Sequence, residues 1–163
     1  MRYLGKLTED NQLDIWFAAT EPSFQAYNKP DQSPELQYTF VRSLKDHQRN
    51  ALVTILVENE IPSGGIYGLV SCMGLLVSEI NEALSFYGAD EYLKIPMIEY
   101  LEFGGFPQDY DSLMNKWDIY ADKHAELIEK AGIDYWELSK EDALRNLVEK
   151  NIKENMGSYF ENV

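Results

Sequence analysis

The chain has 163 residues and a net charge of −14, from 28 acidic and 14 basic residues. With 45% hydrophobic residues it can bury the core of one globular domain, which excludes a disordered chain. Its pI of about 4.4 argues against direct binding to nucleic acid or anionic lipid, because both surfaces attract cations. The balance of charge therefore favours a cationic partner.

Cysteine content and hydropathy indicate a cellular compartment. The single cysteine, Cys72, excludes an intramolecular disulfide and is typical of a reducing cytosol. Residues 1–6 carry charge but no apolar core of a signal peptide. The most apolar stretch, residues 66–77, is about half as long as a bilayer-spanning helix. We therefore expect a cytoplasmic protein with no membrane segment.

Helical periodicity dominates the whole chain, and no segment shows the strict alternation of a strand. The sequence predicts one all-α domain over residues 1–163, with about six or seven helices. The expected helices cover residues 9–27, 35–58, 66–87, 90–102, 109–130 and 139–156.

Caps and breakers set the expected boundaries of these helices. Thr8 is the expected N-cap of the first helix, and Pro62-Ser63-Gly64-Gly65 separates the second helix from the third. Gly88 ends the third helix, and Gly132 follows the fifth as a C-cap signal. Residues 139–142, with the sequence Ser-Lys-Glu-Asp, resemble a capping box that opens the last helix.

Acidic residues are concentrated in the middle of the chain. Residues 1–57 hold seven acids and six bases, and residues 143–163 hold three of each. Residues 58–142 hold eighteen acids and five bases, a net charge of −13. A domain whose surface serves only solubility usually intersperses the two signs, so this segregation favours an electrostatic role.

The predicted helix at residues 109–130 shows how these acids are arranged. Asp118, Asp122, Glu126 and Glu129 form a ridge beside its apolar face. Carboxylates four residues apart would rise by about 6 Å per step, comparable with the spacing of groups along a polyanion. The alternative interpretation is an ordinary solvated helix face opposite a core.

Residues that could carry catalysis or bind metal are few. His47 and His124 lie far apart, and Ala121 stands where a bundle di-iron site would need a glutamate before His124. Cys72 lies in an apolar helix without a neighbouring cation and is expected to be a small buried residue. Gly64-Gly65 follows a helix and lacks the Lys-Ser/Thr of a phosphate loop. We therefore expect no enzyme activity, catalytic residue, metal or cofactor.

Four segments from the middle of the chain onward form a pattern of moderate specificity through their order and spacing. A Gly-Gly turn after a helix is followed by an Ala-Leu…Gly-Ala signature, a Phe-Pro segment and a short acidic-aromatic stretch. They read Ser63-Gly64-Gly65-Ile66, Glu82-Ala83-Leu84…Gly88-Ala89, Phe106-Pro107-Gln108-Asp109 and Ile133-Asp134-Tyr135-Trp136-Glu137-Leu138.

This pattern resembles the bacterial DNA-mimic protein family first defined as a domain of unknown function. The resemblance covers about residues 58–160, and size and acidity also resemble the neisserial DNA mimic. The chain departs from the family pattern in two places. Ser63 stands where the family turn usually begins with Asn, and the downstream polar-aromatic pattern is altered at Tyr67-Gly68.

The resemblance implies an all-helical homodimer whose carboxylates imitate the phosphates of duplex DNA. It further implies a cationic DNA-binding transcription regulator as the partner, expected to be of the helix-turn-helix type, whose promoter binding the mimic would block. The acids expected to imitate phosphates are Glu79, Glu82, Asp90, Glu91, Glu99, Glu102, Asp109, Asp111, Asp118, Asp122, Glu126 and Glu129.

Three other functions are compatible with the sequence. The same acidity would suit an immunity protein that neutralises a basic, nuclease-type toxin. A carboxylate cluster could serve a small hydrolase or metal protein. The chain could also be a helical domain that is acidic without an electrostatic role.

Overall fold

The computed structural model describes residues 3–8, 14–89, 109–139 and 142–161. These residues form helices and no strand, which confirms the all-α prediction. A 3₁₀ turn at Gly74–Leu76 joins α3 to α4. The helices are α1 (Ile15–Tyr27), α2 (Pro34–Ser43), α3 (Asp46–Met73), α4 (Val77–Phe86), α5 (Tyr110–Lys123), α6 (Ala125–Ser139), α7 (Ala143–Glu154) and α8 (Met156–Tyr159).

Helix α3 forms the centre of the bundle and packs against α1, α2, α4, α5 and α6. Its side chains Leu52 and Leu69 are fully buried. The Trp16 indole N–H donates to the Ala51 carbonyl at 3.1 Å, which fixes α1 against α3. Hydrophobic burial of this kind is the main stabilising contribution in a helical bundle.

The two ends of the described chain meet beside α1. Gly5 N–H donates to the Tyr159 carbonyl at 2.8 Å, and Glu161 N–H donates to the Gly5 carbonyl at 3.1 Å. A Cβ at position 5 would lie 2.1 Å from the Ala18 carbonyl oxygen, so this close approach requires glycine.

The first two predicted helices differ from the observed ones. Helix α1 begins after Asp14, whose carboxylate accepts the Phe17 N–H at 3.1 Å, and the prediction of Thr8 as the cap is wrong. The predicted helix over residues 35–58 is divided, because Leu44 and Lys45 have extended backbone torsions. Leu44 is buried at this corner, so packing stabilises a break that no Gly or Pro marks.

The predicted break at residues 62–65 is confirmed as a kink within α3. Gly65 has φ 61° and ψ −161°, a conformation open mainly to glycine. The predicted end at Gly88 is also confirmed, since Gly88 has φ 71°. Gly88 N–H donates to the Ser85 carbonyl, and Ala89 N–H donates to the Leu84 carbonyl, as in a Schellman motif.

The helical stretch Asp46–Phe86 has a window of mean hydropathy 1.5 and is long and apolar enough to cross a membrane. The apolar stretch predicted at residues 66–77, about half as long as a membrane-spanning helix, therefore underestimates the length of this apolar helical stretch. Half of the window is buried inside the bundle, as in the core helix of a soluble protein, so its length and composition are weak evidence for a membrane span.

The predicted helix over residues 109–130 begins correctly at the Asp109 cap but ends at Lys123. His124 has φ −124° and ψ 27°, and a new helix follows it. Gly132 lies inside that helix, so its prediction as a C-cap is wrong. The predicted capping box is wrong too, because α7 begins after Asp142, whose side chain makes no cap hydrogen bond. The helix expected over residues 90–102 lies outside the described residues.

Candidate protein-binding surface

Four predicted acids form an exposed ridge across α5 and α6, which we call the acidic ridge. Its members are Asp118 and Asp122 on α5 and Glu126 and Glu129 on α6. Within the described parts of the chain, none of the four forms an ion pair with Lys or Arg. Their negative charge is therefore available to a partner.

The acidic ridge is bent, because the helix that was predicted to carry it is two helices. The break falls at His124, whose ring stacks on Tyr120 with centroids 4.4 Å apart. Tyr120 is buried, so this contact holds the turn against the core. The regular 6 Å rise that the sequence predicts between carboxylates four residues apart therefore does not extend from Asp122 to Glu126.

Buried aromatic residues hold both helices of the ridge in place. Trp117 and Tyr120 of α5 are almost fully buried, and their rings stack with centroids 5.6 Å apart. Tyr135 of α6 is also buried and donates its hydroxyl to the Glu58 carboxylate on α3. Both helices that carry the ridge are therefore anchored to the core through buried aromatic side chains.

One ridge acid is engaged by a side chain of α3. The Tyr67 hydroxyl donates to the Asp118 carboxylate at 2.7 Å. This hydrogen bond raises the pKa of Tyr67, because ionisation would bring its oxygen anion against the carboxylate. The bond orients Asp118 without neutralising it.

The two acids at the start of α5 have different surroundings. Asp109 is the N-cap, and its carboxylate accepts the Ser112 backbone N–H at 2.9 Å. That hydrogen bond lowers the pKa of Asp109. Asp111 is exposed in the first helical turn, where a carboxylate interacts favourably with the helix dipole.

Two predicted acids on α4 lie beside arginines. Glu79 is 3% exposed and forms an ion pair with Arg42, so its prediction as a phosphate-imitating group is corrected: a buried carboxylate cannot reach a partner. Glu82 is exposed, but one of its oxygens lies 3.4 Å from the Arg49 guanidinium. Four other predicted acids fall outside the described residues: Asp90, Glu91, Glu99 and Glu102.

Comparison with known protein families shows which family the chain belongs to. The family model described as DMP19-like protein matches residues 42–155, which is more than half of the chain. The chain belongs to the DMP19-like protein family. The match confirms the resemblance to the DNA-mimic family and begins before residue 58, where the motifs alone placed its start. No curated protein and no solved structure matches the chain.

The structure of this DMP19-like protein also corrects one prediction about a reactive side chain. Cys72 is exposed rather than buried. Neighbouring atoms still remove part of the water around its thiol, and this desolvation, together with a hydrogen bond to Glu60, raises its pKa. The His47 ring packs edge-on against Phe86 and Tyr159. The described residues contain no group of three His, Cys, Asp or Glu side chains that could hold a metal ion.

Sequence reasoning missed the apolar residues beside the acidic ridge of the DMP19-like protein. Ile133 and Trp136 of α6 are more than half exposed, although they lie next to the buried Tyr135. Their spacing of three residues, on a side of α6 away from Tyr135, is the signal that could have identified them. They flank a groove that is described below.

Proposed function

We propose that this DMP19-like protein is a cytoplasmic DNA mimic that regulates transcription without catalysis. Its acidic ridge would occupy the DNA-binding face of a cationic regulator, so that the regulator cannot bind its promoter. Lysines and arginines that otherwise contact phosphates would contact carboxylates. Membership of the family, with its DNA mimics, supports this role.

The observation that carries the proposal is the state of the ridge acids. Asp118, Asp122, Glu126 and Glu129 are exposed, and no described Lys or Arg neutralises them through an ion pair. Glu79 and Glu82 of α4, by contrast, lie beside arginines of the same chain. Exposed carboxylates on helices that are anchored to the core give the negative field that a DNA-binding surface recognises.

A homodimer would suit this role and is part of the proposal. Helix-turn-helix dimers place their two recognition helices about 34–36 Å apart. A two-fold symmetric mimic could present two acidic ridges to such a partner. Sedimentation of the purified chain tests this part, and a monomer at micromolar concentration would remove it.

Affinity capture from the native cell lysate tests the function. The bait would be used at about 50 and 500 mM salt, with duplex DNA as competitor, because phosphate-directed contacts weaken steeply with salt. We expect a helix-turn-helix regulator, identified by mass spectrometry, that duplex DNA and high salt both displace. A nuclease in its place would support the immunity-protein alternative.

A matched pair of charge-reversal variants makes the test specific to the ridge. Asp122→Lys/Glu126→Lys changes two ridge acids, and Glu154→Lys/Glu161→Lys changes two exposed acids elsewhere by the same net charge. We expect the ridge variant to lose the regulator and the control variant to retain it. Equal retention by both variants would contradict the proposal.

A further inference from the structure

An apolar groove lies beside the acidic ridge, between the kinked part of α3 and helices α5 and α6. Its volume is about 640 Å³, within the usual range for binding clefts. Ile61 and Ile66 of α3 and Ile128 of α6 are among the residues that line it. We call it the kink groove, and Gly65 and Tyr67 of α3 and Gly132, Ile133 and Trp136 of α6 also line it.

Small residues on both walls create this space. Outside its own stretch of chain, no part of the protein lies within 4 Å of the position that a Cβ would take at Gly65, where α3 is kinked. Gly132 on the opposite wall has the same open surroundings. A side chain from another molecule could therefore enter without displacing the core.

Large apolar side chains at the edge of the kink groove remain exposed to solvent. Ile133 is 55% exposed, Trp136 54% and Tyr67 47%. Clustered exposure of this kind, bordered by charged groups, is typical of a protein-binding site rather than of scattered surface residues. Tryptophan and tyrosine are also the residues that most often dominate the energy of binding at such sites.

The charges around the kink groove determine what could fill it. The charged residues that line it, within the described chain, are the ridge acids Asp122 and Glu129. A second copy of this chain, docked there by two-fold symmetry, would bring the same acids together. A helix with apolar residues on one face and Lys or Arg beside them would satisfy both the walls and the rim.

We propose that the kink groove binds the apolar face of a basic amphipathic helix, carried by the same protein that the acidic ridge contacts. This inference rests on the proposed function and adds to it. Charge alone would attract any DNA-binding protein, as duplex DNA does. The groove adds a contact with an apolar helix face, which would let the mimic distinguish its partner from other DNA-binding proteins. It would also leave part of the binding energy insensitive to salt.

Two synthetic peptides can test the kink groove directly. One is a Leu/Lys peptide of about 18 residues, or five helical turns, with its leucines on one face. The other keeps the same lysines and has serine in place of each leucine. Trp16 and Trp117 are buried while Trp136 is exposed, so a blue shift of tryptophan emission reports on the groove.

We expect the Leu/Lys peptide to shift the emission and to remain bound at about 500 mM salt, where the Ser/Lys peptide dissociates. Ile133→Ser should weaken the Leu/Lys peptide about tenfold, because an apolar contact is lost. Ile119→Ser is the matched control, since Ile119 is 54% exposed and does not line the groove. The affinity of the Ile119→Ser variant for the Leu/Lys peptide should equal that of wild type.

A second variant separates loss of binding from loss of folding. Gly132→Leu places a side chain in the groove while improving helix propensity, so it should raise the melting temperature and abolish Leu/Lys binding. Equal affinity of the two peptides, or equal effects of Ile119→Ser and Ile133→Ser, would overturn the inference. A change of oligomeric state in Ile133→Ser would overturn it too, by assigning the groove to a second copy.

The outcomes also separate this inference from the proposed function. If the charge-reversed ridge variant loses the DNA-displaceable regulator while Gly132→Leu retains it as well as wild type at about 50 mM salt, the mimic function stands and the groove inference fails. If the peptide binds as expected but no regulator is displaced by DNA, the groove stands as a helix-binding site and the mimic function fails.

Discussion

Acidic side chains around α4 and on the acidic ridge have opposite surroundings. On α4, Glu79 pairs with Arg42, and Glu82 lies 3.4 Å from Arg49. Both arginines come from helices more than 30 residues earlier in the chain. The ridge acids are exposed on α5 and α6 and form no ion pair within the described residues.

This difference shows why net charge alone does not locate a binding surface. Residues 58–142 carry a net charge of −13 in sequence, but folding brings arginines from residues 42 and 49 against part of that charge. The acids that remain available to a partner are the exposed ones that form no ion pair within the fold. Four experiments test and sharpen this difference.

The largest effect is expected at the buried ion pair. Arg42→Ala should lower the free energy of unfolding by about 2–4 kcal/mol, because it leaves the buried Glu79 carboxylate without its partner. The value is below that of a fully buried pair, since half of the Arg42 side chain is exposed. Denaturant unfolding followed by circular dichroism measures the change.

Two further variants control the Arg42 experiment. Arg42→Ala/Glu79→Gln should recover most of the lost stability, because no buried charge remains. Lys130→Ala removes the partner of the exposed Asp134 and should lower stability by less than about 1 kcal/mol. Equal losses for Arg42→Ala and Lys130→Ala would contradict the proposed difference.

The fold was predictable from the sequence where glycine and apolar spacing act locally. Gly65 and Gly88 marked a kink and a helix end because each position requires a positive φ. The corner at Leu44 and the turn at His124 were not predictable, since no Gly or Pro marks either position. Both depend on packing against the core: Leu44 is buried, and His124 stacks on the buried Tyr120.

The candidate surface was predictable only as a set of acids. The four ridge acids are exposed, but they lie on two helices instead of the single predicted helix, and the spacing could not show which acids meet arginines. Glu79 and Asp118 are both acidic residues on predicted helices. In the structure Glu79 is buried beside Arg42, whereas Asp118 is exposed beside Tyr67. That distinction depends on tertiary packing, which local patterns do not encode.

Asp109 is the N-cap of α5, the helix that also carries two ridge acids. The pH dependence of stability should therefore distinguish this acid, which stabilises the fold, from the ridge acids. Its folded-state pKa lies below the ordinary value of 3.8, because its carboxylate accepts the Ser112 N–H. The stabilisation is therefore present above that value and is lost as the pH falls through the lowered pKa. Asp109→Asn should retain the cap but lose this dependence.

Thermal unfolding between about pH 5 and pH 2 measures the effect of Asp109, in a range where carboxylates titrate. We expect wild type to lose more stability than Asp109→Asn as the pH falls, with similar stabilities near pH 7. Asp111→Asn is the control, since Asp111 makes no cap. Parallel pH curves for all three proteins would show that the Asp109 cap contributes nothing.

Neutralising one acid in each group should change the free energy of unfolding by smaller amounts, with opposite signs for the two groups. Glu82→Gln should lower stability by about 0.2–0.5 kcal/mol, because Arg49 loses a partner. Asp122→Asn should raise stability by about the same amount, because it relieves repulsion among like charges. Chemical unfolding at low salt measures the change in stability of each variant. Changes of the same sign in Glu82→Gln and Asp122→Asn would contradict the difference between the two groups.

The smallest effect concerns the ridge acid that has a hydrogen-bond donor. Tyr67 and Asp118 are both exposed, so Asp118→Asn should leave stability nearly unchanged and lower the Tyr67 pKa toward its ordinary value of 10. Ultraviolet titration, with the Tyr67→Phe curve subtracted in each background, isolates this tyrosine. Glu126→Gln should not move its pKa. If Asp118→Asn does not move it either, the hydroxyl does not orient Asp118, and the ridge acids are equivalent as contacts for a cationic partner.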